Sequence, residues 1–460
     1  MNLYLLCYAN DNDALVPELW AAESLAILEE NMVMANLVHR DFSPLVASYG
    51  DVVNTRRPSE FSTKRKAQTD DVVNQDAAST NVQVPLDQHV YVTFTIKDEE
   101  ASLSFKELIS YYMEPAAMQM ARSIDRVLLG SVPQFAANSS GSLAGMTSAN
   151  AKDWILDTRE VMNVNKAYPN GRNMVISPQA ETEMLKTELF IAANQRGDAG
   201  TALEEARLGR VLGFDTYMDQ NVSYVPLANA DTLTLNHVPG AAAGATGNLA
   251  ITAASEVTNG SYVWFTGDAQ PQVISAHTGT TSGITLVSPY VNAVAANAVG
   301  YAFQPATVGA TYAIGYDKGI TLNTITANKL PVVGQIMAFG TGATRKVYTV
   351  IETDAVSTTS VIVWLDRPLE VAVTAADSAF PGPQGSWCFA FHRDALALVN
   401  RPLAVPSNQL GVQAGVGSYN NLSMRVAMQY NITSQGTKVT LDLLCGKATL
   451  DTNLGAVLYA

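Results

Sequence analysis

The stretch Leu422-Ser-Met-Arg-Val-Ala-Met-Gln-Tyr430, followed by the turn residues Ser434-Gln435-Gly436 and then by Lys438-Val-Thr-Leu-Asp-Leu-Leu444, reads as two strands joined through a turn. A strand pair of this kind needs another layer to cover its apolar face, and the chain before it supplies candidates. Arg393 to Val399 reads as a short helix. Farther upstream, Trp154 to Val164 has helical spacing, Asn173 to Ile176 is a buried strand, and Pro178 opens another helix.

Ser104 and Glu107 have capping-box spacing ahead of Leu108, Tyr112, Met120, Ile124 and Leu128. A helix is predicted over 104–129, bent or restarted at Pro115 and stopped at Gly130. Val16 to Val38 is a further helical stretch, with Pro17 at a first position, Glu18 in the first turn, and Trp20, Ile27 and Met34 spaced by seven. It reads as an amphipathic arm. Between these helices, Asp51-Val52-Val53 and the alternating Val90-Tyr-Val-Thr-Phe-Thr-Ile96 predict two strands joined by a long basic loop. The class is α+β.

Residues 226–384 differ in composition: Thr, Val, Ala, Gly and Ser dominate, with short strand patterns, frequent turn residues and almost no helical periodicity. This predicts an inserted all-β unit whose two ends re-enter one α+β body. It also repeats. Gly260-Ser-Tyr-Val-Trp-Phe265 with Val273 matches Gly334-Gln-Ile-Met-Ala-Phe339 with Val347, each at a separation of 74 residues. Thr280-Thr-Ser-Gly-Ile284 recurs as Thr358-Thr-Ser-Val-Ile362, offset by 78. Two tandem small β-barrels are the expectation.

The totals favour a chain that buries much of its surface in an assembly. At 460 residues it exceeds what one core supports. Charged residues are 15% against roughly 25% in ordinary soluble domains, and apolar ones reach 47%. A net charge of -14 argues against a protein whose task is to grip nucleic acid. Cys7, Cys388 and Cys445 show neither a disulfide framework nor metal spacing, which leaves a reducing cytosol as the folding compartment. Met1 to Tyr8 lacks the form of a secretion signal, and no apolar run has the length of a membrane span.

No constellation points to catalysis, a metal or a cofactor. His39, His89, His237, His277 and His392 never fall at metal-ligand spacing. Gly340-Thr-Gly-Ala-Thr-Arg-Lys346 lacks the P-loop pattern and fits a hairpin turn, while Gly411, Gly415 and Gly417 fit a flexible loop rather than a dinucleotide fingerprint. Asp70-Asp71, Asp98-Glu99-Glu100 and Glu204-Glu205 sit in polar settings with no apolar pocket to raise a pKa. The charge feature that stands out is basic: Arg56, Arg57, Lys64, Arg65 and Lys66. It suits either nucleic acid or, preferably, an acidic patch on a neighbouring copy of this net-negative chain.

Taken in order, several segments resemble the tailed-bacteriophage major capsid proteins with the Hong Kong-type capsid fold. Val16-Pro-Glu-Leu-Trp20 through Asn36-Leu-Val-His-Arg-Asp41 is similar to their N-terminal arm, and the basic hairpin falls where they have an extended loop. Tyr112 to Gly130 is similar to the spine helix of the peripheral domain, and Asn173 to Lys186 to the strand-helix step after it. Gly209-Arg-Val-Leu-Gly-Phe-Asp215 resembles a turn into an axial-domain strand, Phe391-His-Arg-Asp-Ala-Leu-Ala397 the helix after that strand resumes, and Leu422–Tyr430 with Val439–Gly446 the closing strands.

The resemblance implies a division into a 1–50 arm, a 51–100 extended loop, a 101–170 peripheral domain with the spine helix, an axial domain with closing strands over 171–225 and 385–460, and the 226–384 insertion. Short-tailed-phage coat proteins carry one inserted β-barrel at this place; two would be a departure. It further implies hexamers and pentamers of an icosahedral shell around double-stranded DNA, touched only non-specifically. A portal protein, a separate scaffolding protein and a decoration protein are the implied partners, with no membrane, and assembly takes place in the host cytoplasm. Arg56, Arg57, Lys64, Arg65, Lys66 and Trp20 become the candidate contacts between copies. Nothing around Lys64 or Lys66 identifies the Asn and carboxylate that Lys-Asn cross-linking in some relatives requires, so that chemistry is not carried over. The rival is a β-rich carbohydrate-binding or adhesin-type virion surface protein, suggested by the Thr- and Gly-rich insertion; a hydrolase using Glu204 and Glu205 is a more distant one.

Overall fold

The computed structural model describes residues 15–40, 52–57, 63, 65–66, 71, 80–97, 112–143, 145–191, 208–222, 224–225, 231–234, 240–241, 250–251, 259–265, 272–277, 284–286, 294–296, 298–302, 305–325, 329–340, 346–382, 385–406, 412–433 and 435–460. The chain divides into two compact units. The first comprises Met1–Asn31, Val38–Ala121 and Leu396–Leu450, and the second Met32–Leu37, Arg122–Ala395 and Asp451–Ala460.

The first unit is organised by the long strand Gly436–Thr449. Its two flanks are shared among three partners: Leu422–Asn431, Leu396–Arg401 and, over ten residues, Gln88–Lys97. Val412–Tyr419 adds to Leu422–Asn431 through a two-residue turn at Asn420 and Asn421, whose φ values of 47° and 61° are those a tight hairpin of this hand demands. Asparagine tolerates that region better than other side chains.

Helix α1 (Leu15–Asn31) lies on Val412–Tyr419 and Leu422–Asn431, burying Trp20, Ala21, Ser24, Leu25 and Leu28. These positions fall on one face at helical spacing. The predicted arm helix does not run through to Val38. It stops at Asn31, and a separate turn, α2 (Met34–Leu37), follows.

The glycines read as a flexible loop belong, for Gly415 and Gly417, to the strand Val412–Tyr419. The reason is contact: a Cβ on Gly417 would come within 2.9 Å of the Ala21 backbone carbon, so the absent side chain is what lets α1 approach the sheet. We expect Gly417→Ala to destabilise by about 1–3 kcal/mol through overpacking. A denaturant melt checks it, and an unchanged midpoint would contradict the account.

Two further expectations differ. Arg393 to Val399 is not helix: a short 3-10 turn, Arg393–Ala395, leads into the strand Leu396–Arg401. Leu396, Ala397, Leu398 and Val399 are all buried, and a fully buried strand has no alternation to separate it from helix. The strand Val52–Arg57 pairs with Thr80–Pro85, from Val52↔Pro85 to Arg57↔Thr80, and not with the Val90–Ile96 stretch, which belongs to the strand paired with Gly436–Thr449.

In the second unit, the strands run in the order Ser139–Gly141, Gly455–Tyr459, Gly385–His392, Arg172–Ile176, Phe214–Met218, Arg210–Val211. The core on this sheet includes Met174, Ile176, Phe214, Ala390 and Leu458, with Ile155 and Met162 of the next long helix. The long helices are α3 (Glu114–Leu129), whose residues 122–129 belong to this unit, and α4 (Ala151–Val164). Pro115 falls at a helix start, where its missing N–H costs nothing. The capping-box pair Ser104 and Glu107 lies outside the described residues. Ser177 caps the helix Pro178–Leu185, its Oγ accepting the Ala180 N–H at 3.2 Å.

The 226–384 segment contains a five-stranded sheet in the order Ile284–Leu286, Gln272–His277, Tyr262–Phe265, Val299–Ala302, Asp231–Thr234. It also contains a closed barrel, in the order Ala306–Val308, Ile320–Asn323, Ser360–Leu365, Lys346–Ser357, Ile336–Phe339, Ser378–Pro381. Among the described residues only the second closes. Gly260 and Gly334 have φ of 91° and 85°. The Gly260 N–H donates to the Ile274 carbonyl at 2.8 Å and the Gly334 N–H to the Val350 carbonyl at 2.6 Å. A register irregularity follows at Ile274/Ala276 in one and Val350/Glu352 in the other. Phe265 and Phe339 are buried in separate apolar clusters. The Val273–Val347 match is displaced: Tyr262 pairs Val273, whereas Ile336 pairs Thr349. The connections have equal length, and the pairing register of the returning strand is shifted by two residues between the copies.

Candidate assembly surface

The basic candidates belong to one ribbon and to the segment that joins its two strands in sequence. Arg56 and Arg57 end the strand Val52–Arg57, opposite Asn81 and Thr80. Arg65 and Lys66, in the segment joining the two strands, are exposed, and Lys64 lies outside the described residues. The strand Thr80–Pro85, which sequence reasoning missed, is what gives Val52–Arg57 a partner. Its signal was present but short, because Val82 and Val84 alternate with Asn81 and Gln83 just before Pro85.

Trp20 sits differently. It is 5% exposed on the α1 face that packs on the strands of its own chain, so the ring serves the attachment of the arm helix. Contact with another copy through this ring would need the helix to leave that sheet.

In the first unit a polar cluster lies on the paired strands. The Arg425 guanidinium grips Asp442 with both forks, Nε to Oδ1 at 3.0 Å and Nη2 to Oδ2, and donates from Nη1 to the Ala404 carbonyl at 2.6 Å. His89 Nε2 approaches the same carboxylate at 3.5 Å. Asp442 is 5% exposed at its side chain, and a buried carboxylate of this kind requires such pairing. The arrangement fixes register; it leaves no free acid or base.

In the second unit Asp125 of α3 is fully buried. Its Oδ2 accepts the Val33 N–H at 2.8 Å and its Oδ1 the Ala35 N–H at 3.0 Å, tying the α2 turn to α3. Burial and the neighbouring Asp219 push the Asp125 carboxyl up to about 7, against the pull of the backbone N–H donors. Asp219 is also raised, by burial. The sequence carried a hint of this site: an acid directly beside Ile124 on a helix whose apolar stripe includes Val127 and Leu128.

Among the described residues no group of three or more His, Cys, Asp or Glu is placed to hold a metal ion. Cys388 and Cys445 are buried free thiols, and burial pushes the Cys445 thiol up to about 12 and Cys388 upward as well. Such thiols are poor nucleophiles. A cavity of about 350 Å³ is lined by Gln134, Tyr262, Arg367, Trp387 and Tyr459 among others. The Arg367 guanidinium there is committed to Asp366 and Glu370. Glu204 and Glu205 lie outside the described residues, as do Asp98, Glu99 and Glu100. The Gly340–Lys346 segment joins the antiparallel neighbours Ile336–Phe339 and Lys346–Ser357. No described helix is long and apolar enough to cross a membrane.

No protein-family model and no curated protein matches the sequence. Among solved structures the chain is similar to one described as Mycobacterium phage Che8, at 12% identity over 93% of this chain and 90% of that one, with a TM-score of 0.41. It is similar to the capsid structure of the cyanophage P-SCSP1u at 11% identity over 93% and 88%, with a TM-score of 0.43. It is also similar to the asymmetric unit of the bacteriophage PhiM1 mature capsid at 9% identity over 90% and 83%, with a TM-score of 0.40.

Proposed function

We propose that this chain is the major capsid protein of a tailed bacteriophage, assembling through hexamers and pentamers into an icosahedral shell around double-stranded DNA. The observation that carries the reading is the ribbon Val52–Arg57/Thr80–Pro85, a separate two-stranded sheet with a basic connection in a chain of net charge -14. A two-stranded ribbon is marginal in water by itself. Its cations need a surface, and a second acidic copy of the chain offers one. On this reading the ribbon is the extended loop, α1 belongs to the N-terminal arm and α3 is the spine helix. The sheets of the two units then take the peripheral and axial roles, and 226–384 is the insertion, two related β units in tandem. A portal protein and a separate scaffolding protein would join during assembly in the host cytoplasm, and a decoration protein could bind afterwards.

Electron microscopy of the overexpressed, purified chain tests this directly. Shells, tubes or capsomers are the expected result. Monodisperse monomers that bind glycans would overturn it and favour the adhesin reading.

A further inference from the structure

We propose that the attachment of the Met32–Leu37 turn to α3 is a pH-dependent latch, held by a proton within the buried Asp125–Asp219 pair and loosened when that proton leaves. Asp125 is fully enclosed and spends both oxygens on the turn's amides. Asp219 is 3% exposed; its Oδ1 accepts the Asn221 N–H and side-chain amide, each at 2.8 Å, while its Oδ2 has no hydrogen-bond partner among the described residues. Two carboxylates this poorly solvated and mutually repelling do not both stay charged at low cost. A protonated Asp125 keeps acceptor capacity for the amides and no longer repels the Asp219 carboxylate.

The cation that acts on the pair reaches Asp219, where it opposes but does not cancel the effect of burial. The turn Met32–Leu37 carries no ionisable side chain. On α3, Arg126 acts on Asp219 and not on Asp125, and its own Nε is buried without a hydrogen-bond partner. When the turn detaches, Asp125 meets water and regains ordinary carboxylate acidity, so opening releases a proton. The sign follows from linkage. Because the closed state holds the proton more tightly, closure is favoured at low pH, weakens as pH rises from about 4, and levels off above about 7.

Hydrogen–deuterium exchange of the full chain between pH 5 and pH 8, corrected for intrinsic amide rates, reads this at residues 32–38. One proton released per opening gives up to about a tenfold loss of protection for each pH unit, ending near pH 7. Peptides from Leu422–Asn431 should stay level over the same range. Asp125→Asn should flatten the profile at residues 32–38. Asp219→Asn, which removes the neighbouring charge, should move the fall to lower pH and keeps the test sound if Asp125→Asn does not fold. A wild-type profile flat from pH 5 to pH 8, or a profile matching wild type in slope and position in whichever variants fold, would overturn the proposal.

Discussion

Ile124→Asp leaves no soluble folded chain. Ile124 is fully buried on α3 within the stripe formed with Met120, Val127 and Leu128, all at most 1% exposed. Losing the aliphatic side chain there costs about 2–5 kcal/mol, in the range of other large-to-small core changes. The new carboxyl adds the penalty of an unpaired buried polar group, roughly 2–7 kcal/mol if it stays neutral and more if it ionises. Its neighbour Asp125 is already a buried acid pushed up to about 7, so this part of α3 disfavours a further charged carboxyl. The sum matches the whole stability of an ordinary domain, about 5–15 kcal/mol. Soluble yield and circular dichroism check this, with Ile124→Val, expected to cost only about 0.5–1.5 kcal/mol, as the control. Wild-type thermal stability in Ile124→Asp would contradict the burial argument.

Replacing Lys64, Arg65 and Lys66 together by Glu is expected to abolish assembly while leaving the fold of each chain intact. Arg65 and Lys66 are exposed, so their replacement removes no core contact. Exposed charges are worth little within one chain, about 0–1 kcal/mol each. On the proposed assembly reading, repeated contacts between copies would multiply the effect, and reversal would turn attraction into repulsion. Thermal melting and far-ultraviolet circular dichroism should match wild type, and electron microscopy should show no shells. Normal shells from the triple variant would remove the basic connection from the assembly mechanism.

Legibility followed the signal-to-length ratio of each element. The closing strands were readable because Leu422, Met424 and Val426 alternate with residues facing the other side, and they occur as Leu422–Asn431 and Gly436–Thr449. Trp154 to Val164 carried enough helical turns to be seen, and the structure extends it only to Ala151. Leu396–Arg401 was misread because burial on both faces erases the alternation on which the strand reading depends. Gly417 was misread because its meaning lies in Ala21, nearly four hundred residues away in sequence. At the candidate surface the cations were legible by composition, whereas the burial of Trp20 was not. A tryptophan on an amphipathic helix looks the same whether its partner is its own chain or another. The carboxyl pair Asp125 and Asp219 was hidden for a similar reason, since neither acid has a sequence neighbour that reveals the other.

The pairing of Gln88–Lys97 with Gly436–Thr449 carries a kinetic consequence. Thr93 and Thr440 meet hydroxyl to hydroxyl at 3.1 Å across 347 residues of chain, whereas Ile336–Phe339 finds Lys346–Ser357 a hairpin away. Closing the longer loop from an unstructured chain costs more entropy, by about 0.6 kcal/mol per doubling of length, and slows the search for the correct register. Structure formed first by the intervening local elements shortens the effective loop before those strands must meet. Refolding should therefore show two phases, with the near-neighbour β pairings acquiring exchange protection early and the Gln88–Lys97 amides late. During that interval a ten-residue strand waits with its hydrogen-bonding edge open, and rising chain concentration should divert it into aggregates before the sheet closes.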